Sequence, residues 1–220
     1  MTIRLDCTEQ RILGTLIEKQ LSVPDSYPMT ENALVLGCNQ KNNREPVTDL
    51  RSFQVAGAAM ALHQRELIAR VEGGGRVHKF RHKLDEALGL SPQELAVFAE
   101  LMLRGPQAPG ALKPRVARMG YHGSQEQIEQ LLRALGERHL VEQLPLGPRE
   151  RDRRWRHLLG DGSELLADEP AAGHEVAATA PQAPSAPAAV DLTARVAELE
   201  RRVAALERAL GVTSDEEQGG

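Results

Sequence analysis

Hydrophobic positions in the first 85 residues follow three helical stretches and then two short strands. The apolar spacing predicts helices over residues 8–20, with Thr8 as N-cap, over residues 30–38, and from a start between 49 and 52 to about residue 65. Strands are predicted over 67–71 and 77–82, and Gly73-Gly74-Gly75 between them predicts a turn. The predicted order is therefore three helices closed by a β-hairpin.

The same order is predicted a second time. Helices are expected over 91–103, 109–119 and 124–139, and strands over 141–144 and 153–157. Ser91, Pro92 and Glu94 form a capping box with proline at the first helical position. Both hairpins end on the same dipeptide, Arg81-His82 and Arg156-His157. The duplication favours two tandem winged-helix domains, over 1–85 and 86–160, within a mainly helical α+β chain. An unrelated α+β domain is the alternative.

The composition changes after residue 160. Residues 161–190 are rich in Ala, Pro, Gly and acidic side chains, and this composition predicts a disordered linker. Residues 191–212 instead carry an apolar position every 3.5 residues, which predicts a short coiled-coil helix and a homodimer. A single amphipathic helix packed on the body is the alternative. The predicted dimerisation seam consists of Leu192, Val196, Leu199, Val203, Leu206 and Leu210.

Composition and charge narrow the function classes. Aromatic residues make up only 3% of the 220 residues, which argues against base-stacking surfaces for single strands. Residues 1–160 hold 23 Lys and Arg against 19 Asp and Glu, whereas the remainder holds 4 against 12. A weakly basic body with an acidic tail permits nucleic-acid binding without requiring it. The lack of a membrane-length apolar run, of a secretory leader and of a disulfide framework predicts a cytoplasmic protein.

Catalytic and metal chemistry find no support in the sequence. The seven histidines are scattered, and none stands at zinc-type spacing with cysteines or carboxylates. Gly73-Gly74-Gly75 lacks the Lys-Ser/Thr ending of a phosphate loop, and no nucleophile-elbow or kinase motif is present. We therefore expect a protein that is not an enzyme and that needs no cofactor or metal.

Duplex DNA is the partner that winged helices commonly bind, through the third helix and the hairpin wing. The residues before and within the third helix of the first copy include amides and arginines that can pair with base edges, and both wings carry basic residues for phosphates. The candidate DNA-binding residues are Gln40, Lys41, Asn42, Asn43, Arg44, Arg51, Gln54, Arg76, Lys79, Arg81, Arg149, Arg151, Arg153 and Arg154.

A structural role is the alternative for these residues. Arginine is common on solvated strands, and the amides of residues 39–44 can cap and bridge helices instead. The third helix of the second copy carries Glu126, Glu129 and Glu137, which phosphates repel.

Two separated motifs resemble the bacterial YceH family. They are the segment Asn32-Ala33-Leu34 to Pro46-Val47, which includes Leu36-Gly37-Cys38-Asn39-Gln40-Lys41, and the segment 101–110 (LMLRGPQAPG) with Arg118-Met119. Arg156-His157-Leu158-Leu159 completes the resemblance, which covers about residues 5–160. It implies tandem winged helices of uncharacterised role. Residues 48–58 (TDLRSFQVAGA) depart from the family pattern, and Phe53 and Gly57 are unusual on a solvated helix face.

Two functions follow as hypotheses. The first is a dimeric DNA-binding protein, such as a transcriptional regulator, that uses the first winged helix and both wings. The second is a dimeric, non-enzymatic protein-interaction adaptor. A continuous positive stripe from residues 39–44 across both wings would favour DNA, and separated patches would favour the adaptor.

Overall fold

A computed structural model describes residues 3–72, 78–148 and 150–161 as a mainly helical protein with two small sheets. The helices are α1 (Cys7–Ser22), α2 (Glu31–Cys38), α3 (Ser52–Gln64), α4 (Leu84–Leu88), α5 (Pro92–Arg104), α6 (Pro109–Ala117) and α7 (Gln125–Glu137), with a short 3₁₀ turn over Pro24–Ser26. The strands are β1 (Met29–Thr30), β2 (Ile68–Glu72), β3 (His78–His82), β4 (Val141–Gln143) and β5 (Trp155–His157). The predicted mixture of helix and strand is confirmed.

Both sheets are antiparallel. The first has the strand order β1-β3-β2, so that Phe80 of β3 lies opposite Met29 on one side and Arg70 on the other. The second pairs β4 with β5 and sets Val141 opposite His157. The sequence did not predict β1, because two residues are too few to display a period of two.

Side-chain caps mark where α1, α2, α5 and α7 begin. Ser91 and Ser124 cap α5 and α7 with capping boxes completed by Glu94 and Gln127. The N-cap of α1 is Asp6 rather than Thr8, because Asp6 accepts from the Glu9 backbone N–H at 2.8 Å and the Glu9 carboxylate accepts from the Asp6 N–H. The prediction of Thr8 as N-cap is therefore wrong by two residues.

The two copies of the motif correspond position by position around the third helix. Helices α3 and α7 both have 13 residues. After each helix, one residue adopts a positive φ, Glu66 at 57° and His139 at 54°, before the strand begins. When the residue numbers of α3 are raised by 73, its buried residues Val55, Ala59 and Leu62 align with the buried residues Ile128, Leu132 and Leu135 of α7.

A continuous hydrophobic core joins the two copies within one compact unit. Helices α1 and α5 form its centre and are buried on nearly every side. They pack closely at Gly14, where an added Cβ would lie 2.9 Å from Cγ of Leu103. The first and last described segments meet as well, since the Leu5 N–H donates to the Leu159 carbonyl at 2.8 Å. The expected boundary between residues 85 and 86 falls inside α4, which sequence reasoning did not predict.

The predicted linker, apart from Asp161, and the predicted coiled-coil helix of residues 191–212 lie outside the described residues. Within the described ranges, no helix is long and apolar enough to cross a bilayer.

Candidate functional site

The loop between α2 and α3 is organised by bonds to its own backbone. The Asn39 side chain accepts from the Leu50 N–H and donates to the Leu50 carbonyl, both at 2.8 Å, and its Oδ1 also accepts from the Thr48 hydroxyl. The Glu45 N–H donates to the carbonyl of Leu103 at the end of α5. The bridging role that was the alternative for this segment therefore holds for Asn39.

Arg44 lies in the interior, and its side chain is 0% exposed. Its Nη2 donates to Glu18 Oε2 at 2.7 Å, and its Nε donates to the Gly37 carbonyl at 3.1 Å. Gln40 Oε1 accepts from the same Nη2 at 3.3 Å and from Lys19 Nζ at 3.4 Å. The expectation that Arg44 contacts DNA is wrong, because its guanidinium is committed to an internal ion pair with Glu18.

The other candidates of this region lie at the surface. Lys41, Asn42, Arg51 and Gln54 are exposed, and Asn43 is half-buried. Gln54 Oε1 accepts from the Arg51 N–H at 2.9 Å at the start of α3. The structure therefore brings Arg51 and Gln54 together at the first turn of this helix.

The wing of the first copy has its basic charge partly neutralised. Arg81 donates to Glu86 at 2.9 Å, and Lys83 approaches the same carboxylate at 3.4 Å. The Arg81 hydrogen bond holds the pKa of Glu86 below its usual range. Lys79 is half-buried, and Arg76 lies outside the described residues.

Carboxylates also alternate with arginines in the second wing. Arg154 pairs with Glu150 at 2.6 Å, and Arg156 pairs with Glu142 across the hairpin. Arg151 and Arg153 are exposed, Arg153 donates to Gln143 at 3.3 Å, and Arg149 lies outside the described residues. The basic residues of both wings are thus interrupted by negative charge.

The outward face of α3 exposes large apolar side chains to solvent. Phe53 is 74% exposed and Met60 is 63% exposed, although both are large and apolar. Gly57 lies between them, and an added Cβ there would meet nothing within 4 Å. The helix SFQVAGAAMALHQ contains no Asp, Glu, Lys or Arg. Sequence reasoning placed Arg51 and Gln54, at the start of this helix, among the DNA-binding candidates, and it noted Phe53 and Gly57 without giving either a role.

The corresponding face of α7 is polar. The same shift of 73 positions places Glu126, Gln130 and Arg133 where α3 carries Phe53, Gly57 and Met60, and all three side chains are exposed. Arg133 forms a 3.6 Å ion pair with Glu129, one turn away on the same helix. Since both helices bury equivalent positions, the apolar face of α3 is not required by the architecture.

Buried histidines close both hairpins. Burial lowers the pKa of His82 to about 4, despite Asp85 Oδ1 at 3.5 Å, and burial likewise lowers the pKa of His157 to about 4. His82 Nδ1 accepts from the Leu84 N–H at 3.3 Å. Because both rings are enclosed, they serve the hairpin packing and are not placed to meet a ligand.

A groove of about 540 Å³ lies where the N-terminal segment meets α3 and α4. Its cations already have partners: Arg65 binds Glu9 at 2.8 Å, Arg4 donates to the Gly160 carbonyl, and Lys83 binds Glu86. Over residues 3–72, 78–148 and 150–161, no group of three His, Cys, Asp or Glu side chains converges as metal ligands would. The cations that line this groove are therefore already engaged by groups of the protein itself.

The described residues define a mainly helical, mixed α and β protein in which one helix and hairpin order occurs twice. The chain belongs to the family described as "Protein of unknown function, DUF480", whose family model matches residues 5–169. The expectation of an uncharacterised family found across bacteria is confirmed, and the YceH name stays a prediction.

Similar proteins occur in several bacteria. A UPF0502 protein of Geobacter sulfurreducens is 43% identical over 171 residues, which cover 77% of this chain and 78% of the relative. A UPF0502 protein of Pseudomonas fluorescens is 41% identical over 204 residues, covering 93% and 94%. One of Azotobacter vinelandii is 45% identical over 157 residues, covering 71% and 70%. The Pseudomonas match extends beyond the segment of the family model.

Proposed function

We propose that this protein is a dimeric, non-enzymatic protein-interaction adaptor built from two tandem winged helices. The order of three helices and a hairpin, repeated with matching buried positions in α3 and α7, supports the tandem arrangement. The predicted seam of residues 192–210 supports the dimer.

The observation that carries the proposal is the charge-free, apolar outward face of α3. In a DNA-binding winged helix, this helix enters the major groove, where arginine, lysine and amides reach bases and phosphates. Here the same face presents Phe53, Gly57 and Met60. Large exposed apolar side chains that lie together mark protein-interaction surfaces, because a protein partner removes them from water.

The distribution of charge supports the same conclusion. The ion pairs of Arg81 with Glu86, and of Arg154 and Arg156 with carboxylates of the second wing, reduce the charge available to phosphates. The exposed face of α7 adds Glu126. Basic residues whose charge is paired in this way favour the adaptor over the regulator.

The test captures partners from nuclease-treated bacterial lysate on the immobilised full chain. A variant with Phe53→Ser and Met60→Ser is compared with Glu126→Ser and Arg133→Ser, the same changes at the equivalent positions of α7. We expect a set of captured proteins that survives nuclease treatment, persists with the α7 variant and is lost with the α3 variant.

The contradicting result is a captured set that depends on intact nucleic acid or that is identical for both variants. Binding of a 30-base-pair duplex is measured in parallel by fluorescence anisotropy at several salt concentrations. We expect weak duplex binding with a shallow salt dependence, since few phosphate contacts are available.

Duplex DNA is the second candidate partner, favoured by the exposed Lys41, Asn42, Arg51 and Gln54 around the first turn of α3. Together with the exposed Arg151 and Arg153, they offer side chains that pair with bases and phosphates. On this hypothesis, changing Arg149, Arg151 and Arg153 together to Ala weakens duplex binding and flattens its salt slope while folding is retained. Duplex binding that is unmeasurable at low salt for the unmodified protein would eliminate it.

A further inference from the structure

We propose that the outward face of α3 packs antiparallel against the same face of a second copy of this chain, around a two-fold axis between Ala56 and Gly57. The inference rests on the proposed function, in which α3 is a protein-binding face, and it names the partner of that face as a second copy of the chain, which the proteins captured through α3 must then include. The supporting observations are the order of side chains along α3, its charge and the predicted pairing of the tails.

The face is complementary to itself. Phe53 and Met60 are seven residues apart, so they lie two turns apart on one side of the helix. An antiparallel pair centred midway between them sets each Phe53 ring on the Met60 thioether of the other copy, a favourable sulfur–aromatic contact. Gly57 has open space around it and lies at the centre, where a small residue lets two helices approach closely. In a two-fold symmetric contact, a residue of one copy meets a different residue of the other copy and the same pair recurs across the axis, as Phe53 and Met60 do here.

The lack of Asp, Glu, Lys and Arg along α3 also fits packing against a second copy. In a symmetric pair, charged residues near the axis would meet copies of themselves and repel, and α3 has no Asp, Glu, Lys or Arg anywhere along it. Arg51 is exposed just before the first turn. Antiparallel packing brings this cation beside the last turn of the opposite α3, at the negative end of that helix dipole.

The predicted tail pairing favours a second copy over a foreign protein. The predicted seam begins at Leu192, about 30 residues beyond Asp161, and a linker of the kind that the composition predicts would span roughly 30 Å at that length. Two chains joined at such tails hold their α3 faces at a millimolar effective concentration. An interface of modest area can then form in the assembled protein.

The test is disulfide cross-linking in the full-length chain. The exposed Cys7 is first changed to Ser, and one cysteine is then introduced by Gly57→Cys. The matched control is Gln130→Cys, at the equivalent exposed position of α7 in a chain with the same tail. We expect most chains with Gly57→Cys, and only a trace with Gln130→Cys, to migrate as a cross-linked dimer on a non-reducing gel after oxidation.

A second change separates contact through α3 from tethering through the tail. Adding Phe53→Asp to the Gly57→Cys chain should abolish the cross-link, whereas adding Glu126→Ala should leave it unchanged. Thermal melting followed by circular dichroism verifies that each variant is folded. Equal cross-linking of Gly57→Cys and Gln130→Cys, absence of both, or a cross-link that survives Phe53→Asp would each overturn the inference.

The outcome is distinguishable from failure of the adaptor function. If α3 captures a nuclease-resistant partner but Gly57→Cys does not cross-link, the adaptor stands and self-pairing fails. If Gly57→Cys cross-links and the protein captures only nucleic acid, self-pairing stands and the adaptor fails.

Discussion

Arg44 and Glu18 form an ion pair in the interior of the first copy, with 2.7 Å between Nη2 and Oε2. The pair connects the loop before α3 to α1, and Gly37 and Gln40 satisfy further donors of the guanidinium. An arginine that sequence reasoning assigned to DNA is thus part of the packing that holds the loop in place.

Removing one partner of this pair should be costly. Arg44→Met leaves the buried Glu18 carboxylate with only Lys19, whose Nζ lies 3.8 Å from Oε2, and we expect a loss of up to about 3–5 kcal/mol in the free energy of unfolding. Adding Glu18→Leu should recover part of this loss. The control Arg51→Met, at an exposed arginine, should change stability by no more than about 0.5 kcal/mol. Urea denaturation measures all four proteins, and a small effect of Arg44→Met alone would contradict the ion-pair assignment.

A change of glycine to alanine should have opposite effects on stability at Gly14, where α1 and α5 pack closely, and at Gly136 in α7. Gly14→Ala adds a Cβ 2.9 Å from Leu103 Cγ, and we expect a net destabilisation of about 1–2 kcal/mol from overpacking. Gly136→Ala in α7 meets only an ordinary 3.5 Å contact with Trp155, so that helix propensity should stabilise the protein by up to about 1 kcal/mol. Thermal unfolding of both variants tests the contrast, which a stabilising Gly14→Ala would refute.

The buried histidines predict a loss of stability in mild acid. His82 and His157 have pKa values lowered to about 4 in the folded protein, whereas an unfolded histidine titrates near 6.5. The unfolded chain therefore binds more protons between these values, and stability falls as pH decreases from about 6.5 to about 4. Each group contributes at most about 3 kcal/mol over this window.

Urea denaturation at a series of pH values measures how steeply the free energy of unfolding changes with pH. His157→Met should make it shallower, and His122→Met, at an exposed histidine before α7, serves as the control. An unchanged slope in His157→Met would show that this ring does not cause the acid sensitivity.

The C-terminal seam predicts a dimer that weakens when the tail is removed. Deleting residues 162–220 should lower the association constant in sedimentation experiments without changing the unfolding transition of the body. A full-length chain with Leu199→Ser and Leu206→Ser should behave in the same way, because both changes place hydroxyls in the predicted seam. Identical mass distributions for all three proteins would eliminate the seam as a dimerisation element.

Much of the fold could be predicted because its signals are local. The caps of α5 and α7 and the buried positions of α3 and α7 follow from spacing along the chain. The cap of α1 was also predictable, since Glu9 follows Asp6, and not Thr8, by the three residues of a capping box. The elements that were missed, β1 and α4, have two and five residues, which is too short for a period to emerge.

The candidate site could be predicted only in part, because burial depends on partners far along the chain. Arg44 has the same side chain as a phosphate-binding arginine, and its role is decided by Glu18, 26 residues earlier. Phe53 and Met60 belong to residue types usually found in cores. The spacing already put Phe53 on the solvated side of the helix, but the extent to which both side chains are exposed follows only from the packed structure. Comparison with the equivalent face of α7 then makes the difference recognisable.

The joining of the two ends of the folded body has a consequence for how the chain is made. Leu5 is fully buried, and it is held there by backbone bonds to Leu159 and Asp161. During synthesis the first copy therefore lacks the backbone partners of Leu5 until the last residues of the second copy have emerged from the ribosome. Although the sequence repeats a motif, the first copy cannot complete its folding during translation before the second copy has been made.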